Sequence, residues 1–258
     1  MKIAVTGKGG AGKSTLAAAL AHLARSEGHT VLAVDADPDA NLAFALGIPE
    51  AERGKIVPIS RQKELIEKRT GAKLKQFGQI FRLNHEISDV ADRFSYPFRG
   101  IHLLVLGAIE AGGSGCACPE NVFLRNLLSH IVLQRDEFVI VDLEAGIEHL
   151  GRGTAQGVDM MIAVVEPTTQ SLGTAKSILQ LAGQVGIRNV RFVGNKVQSE
   201  AERSFLQACL EPSKTLGLIP YSERIREADL SGTAVVDELD EPVRRAFREV
   251  YDAVRSNG

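Results

Sequence analysis

The chain contains no tryptophan, and aromatic residues of all kinds make up only 5% of its 258 positions. Its core must therefore be built from alanine, valine, leucine and isoleucine. Cysteine is nearly as scarce: there are three, two of them a single residue apart. That is a poor disulfide framework for a chain of this size and points to free thiols in a reducing cytoplasm. Charge of neither sign dominates, with 30 Lys and Arg against 32 Asp and Glu and a formal charge of -2. A dedicated nucleic-acid binder normally shows a basic excess or stripe, so nucleic acid is not an expected partner. No apolar run reaches the roughly 18 residues that a transmembrane helix requires. The first strand-like run begins at residue 2 with no signal-peptide pattern ahead of it. A cytoplasmic protein with no membrane partner is the expectation.

Hydrophobic residues at 44% and charged residues at 24% are ordinary for a soluble domain, and the length suits one α/β unit with a sizeable core. Short β-branched runs alternate with longer helical patterns, the signature of parallel β-α-β units. Strands are expected at 2–6, 30–34, 101–106, 138–142, 160–165, 189–194 and 216–219, nearly unbroken in apolar character, as strands buried on both faces require. The most periodic helices are 14–27, 119–134, 171–185 and 242–255. Residues 50–100 are polar and mixed in charge, with a short helical piece near 62–69 and no strong strand. They read as a helical insertion on the surface of a single domain spanning 1–258. The fold class expected is α/β, three layers, with a mostly parallel sheet of seven or eight strands flanked by helices.

Gly7-Lys8-Gly9-Gly10-Ala11-Gly12-Lys13-Ser14 fits G-x-x-x-x-G-K-S/T, directly after one of these strands and directly before a helix. From average composition the pattern arises by chance on the order of 0.01 times in such a chain. Glycines let consecutive backbone N–H groups turn inward around phosphate, and the helix N-terminus adds the positive end of its dipole. Lys13 is placed to neutralise the β- and γ-phosphates of ATP or ADP, and the Ser14 hydroxyl to sit on Mg²⁺. Thr15 completes the nucleotide-binding set.

Lys8 makes the motif more specific. K-G-G-x-G-K-S/T resembles the deviant Walker A ATPases, the P-loop group of nitrogenase iron protein and the Min and Par ATPases. In that group the second lysine reaches across a homodimer interface to the partner's nucleotide, so the resemblance makes Lys8, Lys13 and Asp37 the catalytic set. Asp35-Ala36-Asp37-Pro38-Asp39 is similar to its switch I, with Asp37 orienting the attacking water and Asp35 helping to hold the Mg²⁺ shell. Asp142-Leu143-Glu144-Ala145-Gly146 fits its switch II, with Asp142 at the Walker B position. A carboxylate suits that place because Mg²⁺ keeps several waters that need acceptors. Asn195-Lys196 resembles the adenine-reading position, and Ile219-Pro220-Tyr221 the segment that packs over the base. An asparagine amide can serve a donor and an acceptor on one base edge.

The loop Gly112-Gly113-Ser114-Gly115-Cys116-Ala117-Cys118-Pro119-Glu120-Asn121 carries the two neighbouring thiols. Pro119 is a favoured first-turn residue, and thiols near a helix N-terminus have lowered pKa values. Two thiolates are half of a closed tetrahedral site. A two-fold dimer could complete it by bringing two C-x-C loops together. Taken with D-x-D-P-D and Glu144-Ala145-Gly146-Ile147-Glu148-His149 followed by Arg152-Gly153-Thr154, this loop resembles the CooC family. Those proteins are nickel-insertion accessory ATPases for carbon monoxide dehydrogenase, closely similar to the accessory ATPase of acetyl-CoA synthase. The resemblance runs over nearly the whole chain, strongest at 1–47, 112–121 and 138–167 and weakest at 50–100. It implies Cys116 and Cys118 as ligands to Ni²⁺, or Zn²⁺ in its place, and either enzyme as client.

Two other functions fit the P-loop. An electron-transfer ATPase like nitrogenase iron protein needs a second cysteine after the Walker B strand, and 143–149 has none. A positioning ATPase of the Min or Par type needs an amphipathic tail or a basic surface, and residues 244–258 read as lacking a strong apolar stripe.

Overall fold

The aliphatic runs become strands because their side chains find apolar partners on both sides of one sheet. The computed structural model describes residues 1–71, 87–107, 119–144, 152–155 and 157–258. Among these, the strands are β1 (Lys2–Gly7), β2 (Val31–Asp35), β3 (Tyr96–Phe98), β4 (Ile101–Val105), β5 (Phe138–Asp142), β6 (Met160–Val165), β7 (Val190–Val197) and β8 (Thr215–Pro220). They form one eight-stranded sheet in the order β3-β4-β2-β5-β1-β6-β7-β8, parallel throughout except for the antiparallel pair β3–β4. The α-helices are α1 (Lys13–Ser26), α2 (Leu42–Ala45), α3 (Glu50–Arg53), α4 (Lys63–Thr70), α5 (Val90–Phe94), α6 (Pro119–Gln134), α7 (Arg152–Ala155), α8 (Thr169–Val185), α9 (Glu200–Cys209), α10 (Glu223–Ser231) and α11 (Glu241–Asn257).

Alternation along β1 shows how two cores arise. Ile3 and Val5 join one apolar cluster with Leu16 and Leu20 of α1 and Phe247 and Tyr251 of α11. Ala4 faces the other way, into a cluster with Phe123 and Leu127 of α6 and Ile178 of α8. Period 2 in a strand, covered by helices on both sides, is the three-layer arrangement. No described helix is long and apolar enough to cross a membrane.

Two expectations are corrected here. The 50–100 segment is not purely a helical surface piece: Tyr96–Phe98 adds an edge strand, and Ile59, Ile66 and Val90 are fully buried in the second cluster. The tail does carry an apolar stripe, in which Val243, Phe247, Val250 and Val254 recur at helical spacing with all four buried. That stripe packs against β8 and α1 as part of the core rather than lying free.

The chain leaves β1 toward β2 on one side and returns to β6 on the other, so the sheet reverses direction of growth at β1. In open parallel sheets such a reversal opens a crevice at the carboxyl ends of the strands. The ends of β1, β2, β5, β7 and β8 carry the residues singled out in the sequence.

Candidate nucleotide site

β1 enters the loop at Gly7, where an added Cβ would stand 2.6 Å from the Val164 carbonyl oxygen of β6. Only glycine lets the two backbones approach so closely. The Ala11 amide donates to the Lys8 carbonyl at 3.0 Å and closes a turn over the loop. Gly12 then adopts a left-handed φ of 96°, and α1 begins without a side-chain cap. First-turn amides left open in this way, at the N-terminus of a 14-residue helix, form an anion site.

Lys13 is buried at 8% exposure and pairs with Asp37 at 3.4 Å, so the P-loop lysine rests against the switch I carboxylate. Asp37 also accepts from the Asp39 amide at 3.1 Å. Beneath this pair, Asp35 and Asp142 are direct neighbours in the β2–β5 register, and both are fully buried. Asp35 accepts from the Leu42 amide at 2.9 Å and the Asp37 amide at 3.3 Å. Burial, with Asp142 alongside, still pushes its pKa up to about 8. Burial likewise raises Asp142 to about 7, against the opposing pull of the nearby Ser14 hydroxyl and the Lys13 ammonium. Neither Asp142 oxygen has a partner at hydrogen-bond geometry among the described residues. A buried, unsatisfied carboxylate beside a second one and a serine hydroxyl fits a hard divalent cation such as Mg²⁺. Among the described residues, no group of three or more His, Cys, Asp or Glu is arranged as a complete metal cage. Mg²⁺ at ATP sites commonly takes its remaining ligands from water and phosphate.

A cleft of about 750 Å³ opens above these groups. Gly9, Gly10, Gly12, Lys13, Ser14, Thr15, Asp37, Asn195, Lys196, Pro220 and Tyr221 all line it. Gly7, Ala11, Asp35 and Asp142 lie buried below its walls. Lys8 is half-buried beside the loop, and its ammonium makes no ion pair among the described residues. Asn195 and Lys196 turn toward the P-loop: the Asn195 amide donates to the Ala11 carbonyl at 2.8 Å, and the Lys196 ammonium to the Gly10 carbonyl at 2.6 Å. Tyr221 stands at the open rim, its hydroxyl donating to Glu223 at 2.6 Å, with Arg226 on the same carboxylate at 2.8 Å. Cys116, Cys118 and residues 145–149 lie outside the described residues.

Sequence reasoning missed Glu166, which ion-pairs with Lys196 at 2.8 Å, and Phe44 and Arg226 on the cleft wall. Glu166 follows β6 directly, and a carboxylate just beyond a parallel strand is the signal that could have found it.

Residues 2–235 match the family model of the CobQ/CobB/MinD/ParA nucleotide binding domain. An ATP-binding protein of Methanocaldococcus jannaschii is 42% identical over 257 residues, covering 98% of this chain and 97% of its own. The carbon monoxide dehydrogenase accessory protein CooC of Rhodospirillum rubrum is 44% identical over 237 residues, 92% of this chain and 90% of that one. Among solved structures, a chain of the MinC:MinD cell division protein complex of Aquifex aeolicus superposes with a TM-score of 0.71. It covers 100% of this chain and 97% of its own at 19% identity, which shows a shared fold.

Proposed function

This chain belongs to the CobQ/CobB/MinD/ParA nucleotide-binding family as a P-loop ATPase of the CooC kind, and from that premise we propose a dimeric metallochaperone. Its task is to assist nickel insertion into carbon monoxide dehydrogenase, or into the related acetyl-CoA synthase, in the cytoplasm. The observation that carries the ATP-driven part is the buried, unpartnered Asp142 beside Asp35, under the Lys13–Asp37 pair.

The reaction transfers the γ-phosphoryl group of ATP to water, giving ADP and phosphate. Open amides of the P-loop and of the first turn of α1 receive the phosphate oxygens. Lys13 exchanges the Asp37 carboxylate for the β- and γ-phosphates, and Asp37 is thereby released to hold the attacking water. Ser14, Asp35 and Asp142 would hold Mg²⁺, which supplies neutralisation of charge on the phosphates. Tyr221 and Pro220 close the base end of the cleft. Lys8 reaches the partner's nucleotide, so the nucleotide state sets the dimer geometry, as γ-phosphate sets switch segments elsewhere.

Nickel is cargo in this scheme. Cys116 and Cys118 of two subunits supply four thiolates to one ion, with Zn²⁺ as the competing occupant. Metal analysis and equilibrium dialysis of the wild type and of Cys116→Ser/Cys118→Ser test it. One metal per dimer is expected in the wild type and none in the double variant, with ATP binding changed by less than about twofold because other loops bind phosphate. Affinity should fall as pH drops, since thiolates must shed protons to bind. One metal per monomer that survives the double replacement would overturn the shared site.

A further inference from the structure

A phosphate-binding loop works by aiming N–H groups inward, which turns its carbonyls outward, away from the ligand. Where such a loop is buried, as at Ala11, an outward carbonyl needs a donor. The Lys8 carbonyl takes the Ala11 amide, and the Gly12 carbonyl takes the Leu16 amide of α1. The carbonyls of Gly10 and Ala11 find no donor within the loop. They are served from β7: Lys196 Nζ to Gly10 at 2.6 Å and Asn195 Nδ2 to Ala11 at 2.8 Å. The amides of Gly10 and Gly12 donate to no group among the described residues and stay open to a ligand.

Several features of β7 accompany this reach. The β7–β8 register is broken between Gly194 and Val197, releasing residues 195 and 196 from the ladder. Lys196 adopts a left-handed φ of 60°, uncommon and unfavourable for a residue with a side chain. Asn195 Oδ1 accepts the Lys196 amide at 2.9 Å and holds that conformation in place. Glu166, beyond β6, takes the Lys196 ammonium at 2.8 Å from the other side and fixes its direction. On the loop, a Cβ at Gly12 would stand 2.3 Å from Asn195 Nδ2, so the absence of a side chain there makes room for the asparagine.

We propose that Asn195, Lys196 and Glu166 form a positioning clamp that sets the P-loop backbone for phosphate, a role separate from any contact with the base. The clamp rests on the nucleotide-binding part of the reading above and on neither the metal nor the dimer. Asn195 is 7% exposed, and its hydrogen bond lies out of water. The Lys196 side chain is 42% exposed, so Glu166 contributes less through it.

The test compares Mg²⁺-ATP with inorganic tripolyphosphate, which has the phosphates and no base. Asn195→Ala and Lys196→Met should each raise the KM for ATP about tenfold, the loss of one hydrogen bond from a buried amide or a charged donor. The inhibition constant of tripolyphosphate should rise by the same factor, while kcat changes less than about threefold. Lys196→Arg should restore most of the loss, and Glu166→Gln should give a parallel loss of about threefold. A fall in ATP affinity with unchanged tripolyphosphate affinity would assign these residues to the base and overturn the clamp. Unchanged affinity for both ligands would overturn it as well. Should either first variant fail to fold by circular dichroism, Glu166→Gln decides, because equal behaviour to wild type there removes the Lys196 arm. Loss of metal binding in the cysteine variants leaves this result untouched.

Discussion

The phosphate end and the carboxylate end of the nucleotide cleft are built on opposite principles. The phosphate end is one unbroken stretch, Gly7 through Thr15, and its working groups are mostly backbone amides. The carboxylate end is assembled from the tips of β2 and β5, which come together only through sheet pairing. Amides do not titrate, so the phosphate end presents positive potential at any pH. Burial pushes Asp35 and Asp142 up to about 8 and about 7, so the carboxylate end gives up its protons more readily once a cation is there to take their place. The lesson is that one half of the site is preformed and the other half is conditional. The Lys13–Asp37 pair is the single ion pair that joins the two among the described residues.

The largest break in this comparison is Lys13→Ala. It removes the buried side-chain charge at the phosphate end and leaves Asp37 buried without its partner. ATP turnover should fall at least a thousandfold, with nucleotide binding lost, as read by phosphate release and calorimetry. Asp37→Ala strikes the other half. It should slow hydrolysis about a hundredfold while ATP binding stays within about threefold of wild type, because the amides and Lys13 remain. Equal turnover in wild type and Asp37→Ala would take Asp37 out of the chemistry.

The same contrast explains what was legible in the sequence. The P-loop could be read because its geometry is local: glycine spacing, a strand before and a helix after. The strand-end carboxylates could be placed only through resemblance and order along the chain, and their protonation is set by burial that no local pattern records. The clamp escaped because Lys196 lies in β7 and Glu166 just beyond β6, far apart in the chain, and Asn195-Lys196 reads from the sequence as an adenine-reading position. β3 escaped because it has three residues, one of them Pro97, and exists only by pairing with β4. The stripe of α11 begins at Val243, and from residue 244 onward arginines and acidic residues on the outer face conceal it. The Cys116 and Cys118 loop is legible as chemistry and lies outside the described residues, so its geometry rests on the sequence argument alone.

A smaller effect is expected at Lys8, whose ammonium makes no ion pair among the described residues. Lys8→Ala should weaken ATP-linked dimerisation by about tenfold, the loss of one charge-assisted contact, while the nucleotide-free protein sediments unchanged. Analytical ultracentrifugation with a non-hydrolysable ATP analogue reads it. A monomer under every nucleotide condition would remove the partner from the phosphate end.

The smallest expected effect tests the conditional half directly, through stability. In the unfolded chain Asp35 and Asp142 ionise near 3.8, whereas in the folded protein they ionise near 8 and 7. Across that interval the folded state binds more protons than the unfolded state, so stability falls as pH rises. The stabilising balance is intact below about pH 4, declines through the window, and is fully lost above about pH 8. His22 runs the other way: burial lowers its pKa below 6.5, so its share of stability is lost as pH falls through the acid side. Asp142→Asn deletes one of the two carboxylates, relieves its push on Asp35 and leaves His22 alone, so the difference between the two proteins isolates the carboxylate pair. Without Mg²⁺ or nucleotide, the wild-type melting temperature should drop between about pH 5 and pH 8 by a few degrees more than that of Asp142→Asn. With Mg²⁺-ATP the order should reverse, because cation binding favours the ionised wild-type carboxylate and the amide offers it nothing. Parallel melting curves over the whole pH range would mean that Asp142 is not a buried acid awaiting a cation, and the contrast between the two ends would fail.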